Sequence, residues 1–100
     1  MKINKIIEHL TKAVNKYADE SILTAKQIWE DLIIRECEEG NVEILFDGGY
    51  CYDIINETWS DYGGDMVWEN AEKIFGLKEL EKLGHEAEPY ASWKISVYKG

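Results

Sequence analysis

One hundred residues with 45% hydrophobic content suffice for one domain with a single core, and they argue against a chain that is disordered throughout. The formal net charge is −9, from 20 Asp and Glu against 11 Lys and Arg, a balance that repels nucleic acid and anionic membrane and attracts basic protein surfaces. Two cysteines, Cys37 and Cys51, are too few for a small secreted disulfide framework and fit no zinc spacing, so reduced, partly buried thiols are expected.

The chain opens MKINKIIEHL, a mixture of apolar and charged residues with neither the apolar stretch of a signal peptide nor the length of a membrane span; a cytoplasmic protein is expected. Ile3, Ile6, Ile7, Leu10, Val14 and Tyr17 follow the i, i+3, i+4, i+7 rule and predict a helix over about 3–18. ADES interrupts it, and TAKQ then reads as a capping box in which Thr24 and Gln27 each accept from the other's backbone amide. Ser21 is a competing start. The second helix so begun carries an apolar stripe of Ala25, Ile28, Trp29, Leu32, Ile33 and Cys37, with Gly40-Asn41 as its C-cap.

From Val42 the period falls from 3.6 to about 2. Val42, Ile44 and Phe46 alternate with Glu43, Leu45 and Asp47, residues 50–55 are aromatic and β-branched, and Gly48-Gly49 between them suits a tight turn. These features predict a β-hairpin. NETWSDYGGD reads as a loop. A helix is expected over 66–75, a shorter one in LKELEKLG, a connector in HEAEP, and a third strand in YASWKISVYK. Trp29 and Trp93 fall on apolar faces and are expected in the core. The expected fold is a single α+β domain over 1–100, in the order ααββααβ, with a three-stranded antiparallel sheet and helices packed on one face.

The charge is unevenly placed. Residues 1–16 carry four lysines against Glu8, whereas residues 17–72 carry fifteen acids against Lys26 and Arg35. No lysine or arginine occurs from Glu36 to Glu72, a run of eleven acids that also holds Phe46, Tyr50, Tyr52, Trp59, Tyr62 and Trp68. Asp53, Glu57, Asp61, Asp65 and Glu69 recur at every fourth position, but Gly63-Gly64 and the expected strand at Asp53 break any single helical stripe. One reading of the run is a solvated surface kept for solubility. The other is a face for a basic partner, in which carboxylates take the places of phosphates against Lys and Arg, with Trp59 and Tyr62 as aromatic anchors.

Other chemistries are weakly signalled. DYGGD lacks the ligand density of a calcium loop, and His9 and His85 share no ligand spacing. No phosphate-cradling glycine loop, G-x-S-x-G or local Cys-His signature is present, so neither an enzyme nor a bound cofactor or metal is expected. The order helix, ILTAKQIWEDL, IIRECEEG, hairpin also suits a winged helix-turn-helix, but its reading helix would offer one arginine against three acids and its wing no cation. Such a domain would serve protein contacts.

The basic-free run, with Asp47, Asp53, Glu57, Asp61, Asp65 and Glu69 as phosphate stand-ins, resembles the small acidic antirestriction and anti-CRISPR proteins by which phages and mobile elements block host nucleases. It covers about a third of the chain as a composition, without a family motif. The resemblance implies a non-enzymatic inhibitor that occupies the basic groove of a nucleic-acid-binding enzyme, with Trp59 and Tyr62 joining the acids at the interface. Toxin immunity proteins look similar on the same residues, and an oligomerising or adaptor module is the remaining alternative.

Overall fold

Ile6, Leu10 and Val14 lie about one turn apart, and all three are buried by α1 (Lys2–Asp19) as the periodicity requires. The computed structural model describes residues 2–21, 23–37, 40–46, 48–56, 67–91 and 93–99. Among these, α1 is followed by α2 (Ala25–Glu30), β1 (Ile33–Glu36), β2 (Val42–Leu45), α3 (Tyr50–Asn56), α4 (Trp68–Phe75), α5 (Leu77–Lys82), β3 (His85–Ala91) and β4 (Lys94–Lys99). The class is α+β. The sheet has four antiparallel strands in the order β1-β2-β4-β3, one more than expected and in a different chain order.

Three segments differ from expectation, each because of a partner supplied from another part of the chain. The capping box forms, with Gln27 N donating to Thr24 Oγ1 at 3.1 Å and Thr24 N to Gln27 Oε1 at 2.8 Å. The helix it starts stops after six residues, however, and the β-branched pair Ile33-Ile34 enters a strand that pairs with β2 through Ile33↔Leu45 and Ile34↔Ile44. A helix-turn-helix is thereby ruled out, since the segment that would be its reading helix is a sheet edge. The hairpin is β1-β2, closed around Gly40 (φ 79°) with Cys37 N donating to Asn41 O at 2.7 Å.

Residues 50–55, expected to return as a strand, instead form α3. Gly48 and Gly49 do adopt positive φ, but they lead the chain past Asp31. The Asp31 carboxylate accepts from Tyr50 N at 2.8 Å and more weakly from Cys51 N at 3.4 Å, satisfying free amides at the helix start. Cys51 and Ile55 then lie one turn apart and both are fully buried. The HEAEP connector is the first part of β3, an edge strand in which Pro89 sits beside an irregularity between Pro89 and Ala91.

The helix expected over 66–75 is present from Trp68, with Val67 its extended N-cap and Met66 outside the described residues, and it meets the expected α5 at Gly76, whose left-handed backbone (φ 59°) ends the first and opens the second. A single core joins Leu10 and Val14 of α1, Ile28 of α2, Ile74 and Phe75 of α4 and Leu80 of α5 to Val42, Ile44, Ile95 and Val97 of the central strands. Phe46 and Phe75 meet there with ring centroids 5.8 Å apart. Trp29 is half-buried against this core, but Trp93 is 37% exposed. It stands at the β3–β4 turn, where its backbone carbonyl accepts from Phe46 N at 2.9 Å while its ring lies outside the core.

Candidate functional site

Of the residues expected to face a partner, the structure places Asp53 and Glu69. Asp47, Glu57, Trp59, Asp61, Tyr62 and Asp65 lie outside the described residues. Asp53 is exposed in the first turn of α3, on a helix where a strand was expected, and Glu69 is exposed in the first turn of α4. Both acids therefore sit where a helix dipole favours negative charge. The two helices are stitched together: Val67 N donates to Ile55 O and Asn70 Nδ2 to Ile54 O, each at 2.7 Å. Those bonds hold the end of α3 against the start of α4. Trp68, the next aromatic, is half-buried against the core.

Sequence reasoning missed an ion cluster on the opposite face of the sheet from the helices. Glu43, counted among the acids of the basic-free run, receives cations from outside that run. Lys94 Nζ lies 2.9 Å from its Oε2, and Arg35 donates to Oε1 through both Nε, at 3.0 Å, and a terminal guanidinium nitrogen. Arg35 comes from the neighbouring strand at the register Arg35↔Glu43, and Lys94 from the strand on the other side, where it faces Leu45 beside Glu43. The one advance signal was Glu43 in an expected strand and Lys94 in another; Arg35 was expected on a helix and gave none.

Lys94 is 11% exposed, its ammonium 3.9 Å from the Tyr90 ring centroid and 5.5 Å from that of Trp93. Two ring faces and a carboxylate thus replace the water its charge has lost. Lys94 and Arg35, together with the Cys37 thiol, hold the Glu43 carboxyl down to about 2 from an ordinary 4.5. Glu43 in turn raises Arg35. Burial, and then its hydrogen bond to Glu43, pushes the Cys37 thiol up. A carboxylate held so low stays ionised at any physiological pH, which suits a fixed structural charge and not a general acid or base. Cys51 is more extreme: burial, then the Asp31 charge, raises it to about 12.

Elsewhere, His9 Nε2 lies 2.9 Å from Gly76 O, across the α1–α4 packing. Glu81, His85, Glu86 and Glu88 border a shallow depression between α5 and β3. Among the described residues no three His, Cys, Asp or Glu side chains gather closely enough to hold a metal ion, and no helix is long and apolar enough to cross a membrane. Compared with known proteins, the chain matches no family model, no curated protein and no solved structure.

Proposed function

We propose that this protein acts by binding, without catalysis, to a basic protein, and that the partner is a nucleic-acid-binding enzyme such as a nuclease, whose cationic groove the acidic run occupies in place of DNA. The observation that carries the reading is the run itself: eleven acids and no lysine or arginine from Glu36 to Glu72. Asp53 and Glu69, at the exposed helix starts on either side of residues 57–66, frame the stretch that holds Glu57, Trp59, Asp61, Tyr62 and Asp65. Glu43 is left out of the docking set because Arg35 and Lys94 already neutralise it. Asp47 stays in it as a member of the run. The inhibition is stoichiometric, since binding by itself excludes the substrate.

Capture of a partner from host lysate on the purified protein, with washes at low and then high salt, tests the reading. A nuclease or other nucleic-acid enzyme released by salt supports it, because contacts between exposed charges weaken as the Debye length falls from about 10 Å at 0.1 M to about 3 Å at 1 M. Asp61→Lys with Asp65→Lys should weaken that capture while the fold survives; unchanged inhibition by the folded double variant would remove those acids from the mechanism. If the captured enzyme is a secreted toxin nuclease, the protein is its immunity partner. A salt-resistant partner, with association lost in Trp59→Ala, points to the adaptor reading instead.

A further inference from the structure

The strand register fixes which side chains share the sheet face turned away from the helices, because residues two apart on a strand point the same way. One row across that face is Arg35, Glu43, Ser96, Glu88, and the next is Ile33, Leu45, Lys94, Ala91. Tyr90, beside Ala91, lays its ring on Lys94 and so belongs to the same face. The middle of the face is closed off, with Lys94 and Ser96 buried and Glu43 paired. Its two rims are exposed and unlike each other. The β1 rim offers Arg35, whose side chain is 58% exposed, and Ile33, at 65%. The β3 rim offers the exposed Glu88 and Tyr90, at 67%.

We propose that this face docks a second copy of the chain, sheet against sheet, about a two-fold axis running along the strands between β2 and β4. That rotation lays β1 of one copy over β3 of the other, and residues of one row stay at one height. Arg35 then meets Glu88 of the second copy, Ile33 meets Tyr90 of the second copy, and each contact occurs twice, as an isologous interface requires. Charge complementarity selects this axis. A two-fold axis across the strands would set β1 on β1 and β3 on β3, placing Arg35 against Arg35 or Ile33 and Glu88 against Glu88 or Tyr90, never opposite charges together.

The free strand edges compete poorly with the face. β1 is four residues long and carries Arg35 and Glu36, while β3 carries Pro89 and its register irregularity, both of which discourage addition of another strand. Two sheets packed through their faces lie about 10 Å apart with strands within roughly 30° of each other, a spacing that side chains the size of Tyr90 and Ile33 fill. The face is only three inter-strand gaps wide, about 15 Å, which places the contact at the small end of stable interfaces and makes the dimer dissociate on dilution. The dimer is independent of the inhibitor reading, which uses other residues.

Sedimentation velocity of the full chain, from low micromolar to submillimolar concentration, tests the proposal. The mass should rise from the 11.6 kDa monomer toward twice that value. Glu88→Lys and Ile33→Ser, both at exposed positions, should each weaken the association about tenfold or more, with the fold checked by circular dichroism. Glu79→Lys on α5, an equal change of charge away from the face, should leave it unchanged. A chain that stays monomeric throughout, a dimer indifferent to both face variants, or one equally weakened by Glu79→Lys overturns the proposal. So does a monomer whose face variants abolish capture of a different protein, which would then be the occupant.

Discussion

Replacing Glu43 by Gln removes one charge from the outer sheet face and leaves the Lys94 ammonium, 11% exposed, with ring faces but no carboxylate. Holding a carboxyl at about 2 instead of 4.5 corresponds to roughly 3 kcal/mol before solvent screening. Arg35 is more than half exposed, so solvent screens its share, and we expect Glu43→Gln to cost about 2 kcal/mol in all. In a domain of this length that lowers the melting temperature by roughly 10 °C. The pH dependence separates this charge effect from a loss of packing. Because the folded protein holds the carboxyl below its ordinary value, the contribution is complete above 4.5 and disappears as the pH falls through about 2. Urea titrations of both proteins at neutral pH and in steps down to about 2 should show a gap that closes on acidification. A gap that keeps its size, or none at neutral pH, would refute the electrostatic account of the cluster.

Asp31 and Gly49 should be coupled, since a Cβ on Gly49 would lie under 3.0 Å from the Asp31 carboxylate that caps α3. Asp31→Ala should cost about 1 kcal/mol; Gly49→Ala should cost more alone than in the Asp31→Ala background, and additive losses in thermal melts would contradict the contact. Phe46→Ala, which empties a fully buried site against Phe75, should cost about 3 to 5 kcal/mol by urea unfolding, and a loss below about 1 kcal/mol would remove Phe46 from the core. With a thiol reagent at neutral pH, Cys37 should react first and Cys51 only on unfolding, because Cys51 is buried and held up at about 12; equal labelling of the native protein would contradict its burial.

Some of this architecture was legible in the residues because short-range physics suffices for it. The α1 stripe, the Thr24–Gln27 box, the α4 and α5 segments and the 94–98 alternation each carry their signal within a few residues. HEAEP hid β3 because an edge strand open to solvent needs no apolar alternation, and Ala87 is the one residue there packed against the core. Residues 32–34 satisfy a helical and an extended period equally, so nothing local could choose between them. Of the candidate site the residues offered a charge layout alone: Asp53 and Glu69 are exposed in the first turns of α3 and α4, Asp53 on a helix where a strand was expected, and the other six positions lie outside the described residues.

What the sequence by itself determined was a single acidic α+β chain and the helices whose periodicity is unambiguous. Tertiary structure alone decided that 33–36 is a strand, since β2 lay beside it to pair with, and that 50–56 is a helix, since Asp31, nineteen positions back, supplied the cap. It also decided that Glu43 is neutralised, by Lys94 from the far end of the chain. The reason is common to all three: pairing, capping and ion contact depend on which groups the fold brings within about 3 Å of each other, a distance that separation along the chain does not encode.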